Sequence, residues 1–515
     1  MGGAARKTAA VLLALATSIG IAVALTWTET SWQDFSDGQF TSNLYVSHRY
    51  GGTVEFVPRF DFNNDGWMDL VCSEGYGSNV YLYFGDTAGF LASRSRDYPV
   101  GGGGECDGAD LNCDGYADLI HTGWRAQPYA TIYWGTASGP DPQNKTNLSV
   151  SNSEAVAVAD LDNDGYLDII LSSEDGTSYI YWGSGSGYSP SNVTLLHLGT
   201  DTGHNWVVAD LNKDGYLDLI GCCTNDCTHQ PIFYFGPNHT YQLETLDFSP
   251  GGSGFDAQGV TVADFNHDGW LDIVYTGHDD ITQAWIYWGS ASGFSVQNRT
   301  VINTAQCFGG SAAYDFNKDG LVDLLFFRGS YYGAYLKPII YYNTGSSPYF
   351  SDAQTSTIGP LTLNSTGGQV ADYNKDGNVD IFLNDFESGS AHVLWGPDWN
   401  TVTDLPCYSG HHGVTREIGN IYDRTYREDY VSSVFDGGGL PNWHTVSWDD
   451  STPGGSAVEM AVRTGATAAP DSTWSGWYAV AKGDTVPDSL NSRYIQYRAQ
   501  LKYQNPASLP MLFAV

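Results

Sequence analysis

Acidic side chains recur at a fixed spacing in this chain, in a nine-residue segment of which Asp160-Leu-Asp-Asn-Asp-Gly-Tyr-Leu-Asp168 is typical. Seven such segments, here called acidic loops 1 to 7 in chain order, carry aspartate at positions 1, 5 and 9 and glycine at position 6. Position 3 is aspartate in loop 3 and asparagine in the other six loops. The candidate metal ligands at positions 1, 3, 5 and 9 are Asp61, Asn63, Asp65, Asp69, Asp110, Asn112, Asp114, Asp118, Asp160, Asp162, Asp164, Asp168, Asp210, Asn212, Asp214, Asp218, Asp264, Asn266, Asp268, Asp272, Asp315, Asn317, Asp319, Asp323, Asp372, Asn374, Asp376 and Asp380.

Every candidate ligand in these loops is a hard oxygen donor. Positions 1, 3 and 5 of a tightly curled backbone point toward one centre, and glycine lets the chain reverse there because it takes positive φ at little cost. A carbonyl at position 7 and a bidentate carboxylate at position 9 would bring the set to about six or seven oxygens, which suits Ca²⁺ better than the smaller, octahedral Mg²⁺. The loops lack paired histidine or cysteine ligands, which argues against zinc and copper. We therefore predict up to seven structural Ca²⁺ ions.

The sequence around the loops indicates strands rather than helices. An EF-hand shares the opening of this pattern but needs glutamate at position 12 and a helix on each side. Position 12 is never glutamate here, and the flanks of loop 3 read Val156-Ala-Val-Ala159 before it and Leu167-Asp-Ile-Ile170 after it. Such short apolar runs are typical of strands. Each acidic loop is therefore predicted to lie at the turn of a β-hairpin.

The spacing of the loops indicates a repeat protein, since successive loops start 49, 50, 50, 54, 51 and 57 residues apart. Each repeat continues with a polar loop, an aromatic strand such as Tyr179-Ile-Tyr-Trp-Gly183, a Gly/Ser turn and a last strand such as Val193-Thr-Leu-Leu-His-Leu198. In the sixth repeat Asn343 replaces the glycine that ends the aromatic strand. Four short strands per repeat, seven times over, predict an all-β fold with a seven-bladed β-propeller. The tryptophans at one shared strand position are expected to pack between blades: Trp134, Trp182, Trp288 and Trp395.

The acidic loop with its later Tyr-x-Tyr-x-Gly strand resembles the FG-GAP/VCBS-type repeats, as in the propeller of integrin α subunits, over residues 49–400. In that family the loop joins the first and second strands of a blade, its calcium ions lie on one face of the ring, and partners usually dock on the other face. The resemblance implies calcium at the Asp and Asn positions named above and a ligand surface on the opposite face. Integrins carry the loop in only some blades, whereas all seven repeats have it here.

The charge balance is consistent with bound cations. The formal net charge is −36, and the loops hold 22 of the 58 acidic residues, namely 21 aspartates at positions 1, 5 and 9 together with Asp162. Seven Ca²⁺ ions would reduce the net charge to −22. The remaining acidic surface repels nucleic acid and anionic membranes, and no basic patch offsets it. Nucleic acid is therefore not predicted as a partner.

The N-terminal segment differs from the repeats. Arg6 and Lys7 precede an apolar run from Thr8 to Leu25. Residues 1–24 are therefore predicted to be a secretory signal peptide or, alternatively, an uncleaved N-terminal anchor. The protein would then be secreted or at the cell surface, with membrane contact only through that anchor.

Three further regions are predicted. Residues 25–48 form a lead-in segment that would close the ring or pair with the C-terminal domain, and residues 49–400 form the propeller. Residues 401–515 carry alternating apolar and polar runs with turn residues between them, which predicts a β-sandwich-like domain. The chain ends in the strand-like sequence Leu512-Phe-Ala-Val515, and a truncated fragment of a longer protein is one interpretation of this end.

Eight cysteines occur, and disulfides are plausible in an exported chain. The sequence leaves the connectivity open. Two pairings are considered, Cys222 or Cys223 with Cys227, and Cys72 with Cys106. Cys113, at position 4 of loop 2, is expected to point away from the ion and to be unpaired.

The loops between the second and third strands vary most from repeat to repeat. They are predicted to lie at the end of the ring opposite the acidic loops. Exposed variable loops on a rigid scaffold commonly carry binding, so we predict that they hold a glycan or protein ligand. These loops include Glu74-Gly-Tyr76, Trp124-Arg125, Glu174-Asp175, His278-Asp-Asp280, Tyr331-Tyr332 and Asp385-Phe386.

The sequence favours a binding protein over an enzyme. It contains no nucleophile elbow, zinc-protease helix, P-loop or dinucleotide-binding fingerprint, and no catalytic residue is nominated. We expect a role in cell-surface adhesion or in carbohydrate or protein recognition, with structural calcium. A calcium-dependent polysaccharide lyase, or its accessory module, is the enzyme alternative, and a structural part of a surface layer is a third interpretation.

Overall fold

The structure is a computed structural model that describes residues 26–41, 43–57, 60–124, 127–197, 204–223, 229–247, 257–277, 281–305, 307, 310–329, 335–362, 364–386, 388–408, 410–411, 418–439 and 442–515. The predicted signal segment 1–24 lies outside these residues. The described chain is almost entirely β-structure. Its helical segments are α1 (Trp32–Phe35) and three 3₁₀ turns, Arg49–Gly51, Ala92–Arg94 and Asp488–Leu490.

The strands follow one another through the chain with short connections. The first three are β1 (Gln39–Phe40), β2 (Leu44–Ser47) and β3 (Thr53–Phe56). The repeat region then contributes β4 (Leu70–Glu74), β5 (Asn79–Tyr83), β6 (Ser95–Pro99), β7 (Cys106–Ala109), β8 (Asp118–His121), β9 (Tyr129–Tyr133), β10 (Lys145–Ser149), β11 (Val156–Ala159), β12 (Asp168–Leu171), β13 (Thr177–Tyr181), β14 (Val193–His197), β15 (Asn205–Ala209), β16 (Asp218–Cys222), β17 (His229–Gly236), β18 (Thr240–Asp247), β19 (Ala257–Ala263), β20 (Asp272–Gly277), β21 (Ala284–Tyr287), β22 (Arg299–Ile302), β23 (Ser311–Tyr314), β24 (Asp323–Phe326), β25 (Ile339–Tyr341), β26 (Thr355–Thr357), β27 (Gly368–Ala371), β28 (Asp380–Asp385), β29 (Ser390–Trp395), β30 (Thr401–Pro406) and β31 (Gly410–His411). The last seven are β32 (Arg427–Val431), β33 (Phe435–Asp436), β34 (Asp449–Ser451), β35 (Ala457–Gly465), β36 (Tyr478–Val480), β37 (Tyr494–Lys502) and β38 (Met511–Ala514).

The repeat region forms four-stranded antiparallel sheets, here called repeat sheets 1 to 7 in chain order. Sheets 2 to 7 are each built from four successive strands, from β7–β10 through to β27–β30. Sheet 1 contains β4, β5 and β6, and its remaining strand is β31, which comes after sheet 7 in the chain. Repeated four-stranded sheets in an almost all-β chain are the arrangement expected of a β-propeller.

The register of the first two strands in each sheet fixes the position of the acidic loop. In sheet 3, Ala159 at the end of β11 pairs with Asp168 at the start of β12, so loop 3 closes this hairpin. Sheets 2, 4, 5, 6 and 7 have the same register at position 9. The prediction of a loop at a hairpin turn is therefore confirmed for these six sheets.

The hydrophobic core lies between neighbouring sheets. Ile170 and Ile180 of sheet 3 belong to one buried cluster with Trp206 and Phe233 of sheet 4, and similar clusters join sheets 4 and 5, 5 and 6, and 6 and 7. Trp182 and Trp288 are buried in such clusters, as expected for tryptophans that pack between blades. All four tryptophans named above donate an indole N–H to a threonine of the fourth strand, namely Thr146, Thr194, Thr300 and Thr403.

The chain divides into two compact units. Residues 57–426 and 504–508 form the repeat unit, whereas residues 1–56, 427–503 and 509–515 form the flanking unit. The repeat unit thus extends beyond residue 400, because β30 completes sheet 7 and β31 completes sheet 1. Within the flanking unit, a six-stranded sheet contains β1, β32, β33, β35, β36 and β37, and a four-stranded sheet has the order β2-β3-β38-β34. The lead-in segment therefore pairs with C-terminal strands, which is one of its two expected positions.

The disulfide of Cys72 differs from the Cys72–Cys106 pairing considered from the sequence. Cys72 of β4 forms a disulfide with Cys407, with a Cα–Cα distance of 6.5 Å, and Cys106 is unpaired. Cys222 is a buried free thiol, whereas Cys223 is disulfide-bonded, and Cys227 lies outside the described residues. Cys113 is not disulfide-bonded, as expected. In the part of the chain that the structure describes, no helix has the length and apolar character needed to cross a membrane.

Candidate functional site

Acidic loop 3 shows how the repeated sequence folds into a compact acceptor-rich turn. The Asp164 backbone N–H donates to Oδ1 of Asp160 (3.0 Å) and to Oδ1 of Asp162 (3.1 Å). The Gly165 N–H donates to the second oxygen of Asp160 at 2.9 Å. These backbone donors orient the carboxylates at positions 1 and 3 toward the inside of the turn. The same bonds from positions 5 and 6 recur in the other loops.

The glycine at position 6 has the role predicted for it. Its φ lies between 83° and 96° in all seven loops. Residues with a Cβ are strained in this region, whereas glycine adopts it readily. Position 4 also has positive φ, between 55° and 61°, although it is never glycine. Each loop therefore has two residues in the left-handed region, at positions 4 and 6.

The aspartate at position 9 is buried in every loop. In loop 3, Asp168 Oδ2 accepts from the Leu161 N–H (2.9 Å) at position 2, and Oδ1 accepts from the Gly183 N–H (2.8 Å) at the end of the aromatic strand. Position 9 thus ties the acidic loop to the third strand of its sheet. This bond explains why the acidic loop and the aromatic strand ending in glycine occur together in the sequence.

The glycine that ends the aromatic strand is required by a close approach. A Cβ on Gly183 would lie closer than 3.0 Å to the carbonyl oxygen of Leu167, at position 8 of the loop. In sheet 6, Asn343 takes this position, and its Nδ2 donates to the position 8 carbonyl of Val322 (3.1 Å) and to the Phe265 carbonyl (2.8 Å). The side chain that replaces glycine in the sixth repeat therefore bonds to the carbonyl that a Cβ would otherwise meet.

Burial changes the acidity of the loop carboxylates. Desolvation raises the pKa of Asp69, Asp118, Asp218 and Asp272 to about 8, with backbone hydrogen bonds opposing the shift. It also raises the pKa of the position 9 carboxyls of loops 6 and 7, Asp323 and Asp380, to about 7. In loop 3, burial and the neighbouring carboxylates raise the pKa of both Asp160 and Asp168 well above the usual value. A cation inside the loop would relieve this cost, since it favours the charged carboxylate.

Loop 3 is the one place in the described chain where three acidic, histidine or cysteine side chains converge closely enough to share a cation. One carboxylate oxygen each from Asp160, Asp162 and Asp168 lies within 4.8 Å of the other two. In the other six loops the aspartates at positions 1, 5 and 9 do not converge to this distance, and position 3 is an asparagine whose Nδ2 donates to the position 5 aspartate at 2.9–3.1 Å.

The donor set of loop 3 fits calcium. Two oxygens bound to one Ca²⁺ at 2.3–2.6 Å can be at most about 5 Å apart, and the three carboxylates meet this limit. Asp160, Asp162 and Asp168 would hold the ion, together with Asp164 from position 5. When bound, the ion would supply the positive charge that two buried carboxylates otherwise lack.

His239 contacts loop 3 from the neighbouring sheet, a contact that the sequence did not indicate. Its Nε2 lies 2.7 Å from Oδ2 of Asp162. The imidazole ring also stacks on Trp182, with centroids 3.7 Å apart and planes within 6°. This histidine lies in the turn between β17 and β18, so sheet 4 orients the one position 3 aspartate of the protein.

Position 4 links neighbouring loops, which the sequence also did not indicate. Asn64 of loop 1 donates to the carbonyl of Gly115 in loop 2 at 3.3 Å, and Asn163 donates to the carbonyl of Gly215 at 3.0 Å. Lys318 of loop 6 donates to the carbonyl of Gly377 at 2.9 Å. The acidic loops therefore lie side by side at one end of the repeat sheets. The left-handed backbone at position 4 is what directs these side chains toward the next loop.

Several predicted ligand-loop residues meet at the other end of the second strands. The Tyr76 ring lies 5.4 Å from the Trp124 ring of sheet 2 and 5.1 Å from the Phe386 ring of sheet 7. The Trp124 indole N–H donates to Glu174 of sheet 3. Tyr76 is 54 % exposed, whereas Trp124 and Phe386 are buried. We call the side chains of Tyr76, Trp124 and Phe386, together with the carboxylate of Glu174 that accepts from Trp124, the aromatic cluster. The predicted residues Arg125, 278–280 and 331–332 lie outside the described residues.

Comparisons with known proteins identify the repeats. The family model for the FG-GAP-like repeat matches residues 61–121, 160–221, 264–326 and 315–383. Comparison with curated protein sequences finds no match. A crystal structure of BBS1N in complex with ARL6DN, soaked with mercury, is similar with a TM-score of 0.44 and 9 % identity, covering 72 % of this chain and 95 % of that one.

A further similar structure is that of a putative 6-phosphogluconolactonase from Bacteroides uniformis. Its TM-score is 0.42 at 10 % identity, and the match covers 66 % of this chain and 98 % of that chain. The repeat matches coincide with the acidic loops and the four-stranded sheets described above. The chain is an FG-GAP-like repeat protein with a β-propeller fold.

Proposed function

We propose that this protein is an exported, calcium-stabilised, seven-bladed β-propeller that recognises a glycan or protein ligand at the cell surface. In this proposal the seven repeat sheets are the blades of one closed ring. Calcium has a structural role in the acidic loops, and the ligand binds at the opposite end of the second strands. The observation that carries the calcium part is the convergence of Asp160, Asp162 and Asp168 within 4.8 Å.

Burial supports a structural role for the ion. Asp160 and Asp168 are almost completely buried, and the groups that raise their pKa beyond desolvation are carboxylates. Buried charges in proteins are paired or coordinate metals. Calcium in this loop would hold β11, β12 and the end of β13 together, because Asp168 also bonds to the Gly183 N–H.

The Cys72–Cys407 disulfide supports export. Disulfides persist in oxidising compartments such as the extracellular space and are rare in the cytosol. This bond joins the first repeat sheet to the segment that follows the seventh. Millimolar extracellular calcium could also occupy weak loop sites that cytosolic calcium could not.

The aromatic cluster supports a ligand surface opposite the acidic loops. Its members come from sheets 7, 1, 2 and 3, so a ligand there would contact several repeats at once. Tyr76 presents an exposed ring on a buried support formed by Trp124 and Phe386. Exposed aromatic side chains on a rigid base are typical anchors of binding surfaces.

A glycan array tests this recognition surface. The full chain in calcium-containing buffer should bind a subset of glycans, and Tyr76→Ala should weaken that binding by about tenfold or more. Tyr478→Ala is the matched control, because Tyr478 is similarly exposed at 47 % but belongs to the flanking unit. Binding should also fall in EDTA. An array without any bound glycan, or equal binding by Tyr76→Ala, would count against recognition of glycans by this surface.

A further inference from the structure

Two arginines come together on the outward face of the six-stranded sheet in the flanking unit. β35 and β37 pair in the register Ala461↔Arg498 and Arg463↔Gln496, so Arg463 and Arg498, here called the arginine pair, lie on the same face. The opposite face is the core face, where Tyr497 is buried, whereas the Arg498 side chain is 32 % exposed. The sequence contains no run of basic residues here, and the arginine pair is formed by strand pairing alone.

Two tryptophans hold the guanidinium groups of the arginine pair in place. The Arg463 Cζ lies 5.6 Å from the centroid of the Trp474 ring and 4.4 Å from that of the Trp477 ring. The Arg498 Cζ lies 5.3 Å from the same Trp477 ring. Trp474 is itself fixed, because its indole N–H donates to the hydroxyl oxygen (3.0 Å) and the carbonyl oxygen (3.2 Å) of Thr467. These cation–π contacts orient the guanidinium groups and leave N–H groups at their edges for other partners.

The hydrogen-bonding capacity of the arginine pair is largely unused. Arg463 donates from Nε (2.8 Å) and Nη2 (2.6 Å) to one neutral acceptor, Oε1 of Gln496, and has no carboxylate partner among the described residues. The buried Nε of Arg498 has no acceptor within the part of the chain that the structure describes. Its Nη1 lies 3.7 Å from Oδ2 of Asp429, which is an ion-pair contact too long for a hydrogen bond. A buried donor without an acceptor is destabilising, so this site calls for an oxygen acceptor.

Other cations of the flanking unit are paired closely with carboxylates. Lys482, Arg493 and Lys502 each have an Asp or Glu oxygen within 3.1 Å. Arg463 instead has Arg498 as its charged neighbour. Burial lowers the pKa of Arg463, and the charge of Arg498 lowers it further. Two like charges are therefore held together, an arrangement that a bound anion would stabilise.

The charge of this sheet face is opposite in sign to that of the whole chain, which is −36. The outward positions of β32, β35 and β37 hold four basic and two acidic residues, namely Arg427, Asp429, Glu459, Arg463, Arg498 and Lys502. Charges farther apart than about 8 Å are largely screened at physiological ionic strength. The local balance therefore attracts an anion to this face.

The side chains around the arginine pair favour a particular anion. Asp429 offsets part of the charge of Arg498, and Gln500 Nε2 donates to the other Asp429 oxygen at 2.8 Å. Two guanidinium groups and one carboxylate leave one positive charge, which suits a monoanion better than a dianion such as a phosphate monoester. The planar guanidinium fork matches a carboxylate, while Asp429 and Gln500 offer oxygen acceptors for hydroxyl groups. A sugar acid supplies both the carboxylate and the hydroxyl groups.

We propose that the outward face of this sheet, around Arg463, Trp477 and Arg498, binds a uronic acid unit of an acidic polysaccharide. The uronate carboxylate accepts hydrogen bonds from the arginine pair, and the sugar hydroxyl groups donate to Asp429 and Gln500. This site goes beyond the proposed recognition surface, since every residue in it belongs to the flanking unit. Neither proposal depends on the other, and each can be tested by substitutions that leave the other site unchanged.

Calorimetry and saturation-transfer NMR on the full chain in calcium-containing buffer test this site. The probe is trigalacturonic acid, its methyl ester is the matched neutral control, and a sulfated trisaccharide and a triglutamate peptide are the other anions. Trigalacturonic acid should bind, and its methyl ester should bind at least about tenfold more weakly. Arg498→Gln should weaken the binding of the acid by about tenfold or more. Arg493→Gln is the control, because Arg493 is paired with Asp436 at 2.8 Å, and it should leave the binding unchanged.

Thermal melting of the same variants separates binding from folding. Arg498 makes no hydrogen bond to the described residues, so Arg498→Gln should melt close to the wild-type temperature while losing affinity. A purely structural role of the cation–π contacts would instead lower the melting temperature and leave the affinity of the folded protein intact. Arg463→Gln replaces Arg498→Gln if the latter does not fold.

The opposite results are equally clear. The proposal is overturned if trigalacturonic acid does not bind, if its methyl ester binds equally well, or if only the sulfated trisaccharide or the peptide binds. Binding that neither Arg498→Gln nor Arg463→Gln weakens would overturn it too. Uronate binding that Tyr76→Ala removes and Arg498→Gln leaves intact would assign the ligand to the aromatic cluster, so failure of this site and failure of the proposed function are distinguishable.

Discussion

Lys375, at position 4 of acidic loop 7, donates a hydrogen bond from Nζ to the carbonyl oxygen of Gly66, at position 6 of acidic loop 1. This is the same contact that joins loop 1 to loop 2 and loop 6 to loop 7. The last loop therefore meets the first as if it were the next in series. Two further links join the segment after sheet 7 to sheet 1. Strand β31 completes sheet 1, and Cys407 forms a disulfide with Cys72.

We expect the Cys72–Cys407 disulfide to contribute strongly to stability. It joins residues 335 positions apart, and cross-links over long loops restrict the unfolded chain most. Cys72→Ala/Cys407→Ala should lower the free energy of unfolding by about 2–5 kcal/mol, measured by denaturant titration. Cys113→Ala, at a cysteine that forms no disulfide, is the control and should have a much smaller effect. Equal free energies of unfolding for the double variant and the control would contradict a stabilising role for the disulfide.

A second prediction concerns the glycine at the end of the aromatic strand. Gly183→Ala places a Cβ against the Leu167 carbonyl and disturbs the Gly183 N–H bond to Asp168. We expect a loss of about 2–3 kcal/mol in the free energy of unfolding. Gly236→Ala is the matched control from sheet 4, because its Cβ would meet only Thr240 at 3.4 Å. Similar losses in both variants would show that the close approach does not explain the glycine.

A third prediction concerns His239. His239→Ala removes the hydrogen bond to Asp162 and the stacking on Trp182. Residues that orient metal ligands typically change metal affinity by about tenfold or more when replaced, so we expect calorimetric titration to show calcium binding weakened by about tenfold at one site. His197→Ala, at an exposed histidine of β14, is the control. Unchanged calcium affinity in His239→Ala would exclude a positioning role.

The raised pKa values predict opposite pH dependences with and without calcium. Burial raises the pKa of Asp69, Asp118, Asp218 and Asp272 to about 8 in the folded state, so the metal-free folded protein binds more protons than the unfolded chain above about pH 4. The stability that these protonated carboxyls contribute is present at low pH and is lost as the pH rises through 8. The melting temperature of protein freed of metal by dialysis should therefore fall by at least about 5 °C between pH 5 and pH 8.

Calcium should remove this fall, because the ion replaces the protons and binds better to deprotonated ligands. The same melting series in calcium should be flat or should rise with pH. A metal-free melting temperature that rises from pH 5 to pH 8 would contradict the assignment of these carboxyls as protonated in the absence of metal.

Much of the fold follows from local sequence patterns. The acidic loops, their hairpin positions and the four-stranded repeat are encoded within each repeat, and the recurrence of this pattern seven times makes them predictable from sequence. Position 6 is an example, because the left-handed backbone there requires glycine. The FG-GAP-like resemblance rests on the same local features.

Contacts between repeats could not be predicted in this way. The Cys72–Cys407 bond depends on the first and seventh sheets meeting, and its residues lie far apart in sequence. The side chains at position 4 reach the next loop because the backbone there is left-handed. The residue types at this position, such as Asn64 and Lys318, do not by themselves predict that conformation. The short hairpin at 237–239 was visible as the absence of the Gly/Ser run found in repeats 3 and 5. Its consequence, the contact of His239 with loop 3, requires the neighbouring sheet.

Calcium-dependent melting of the full chain tests the central claim most directly. Wild-type protein and the double variant Asp160→Asn/Asp168→Asn should be compared in excess calcium and after removal of metal. We predict that calcium raises the wild-type melting temperature by on the order of 10 °C, and that the double variant gains measurably less because loop 3 no longer binds the ion. A wild-type melting temperature that is the same in calcium and in excess EDTA would contradict a structural role for calcium in these loops.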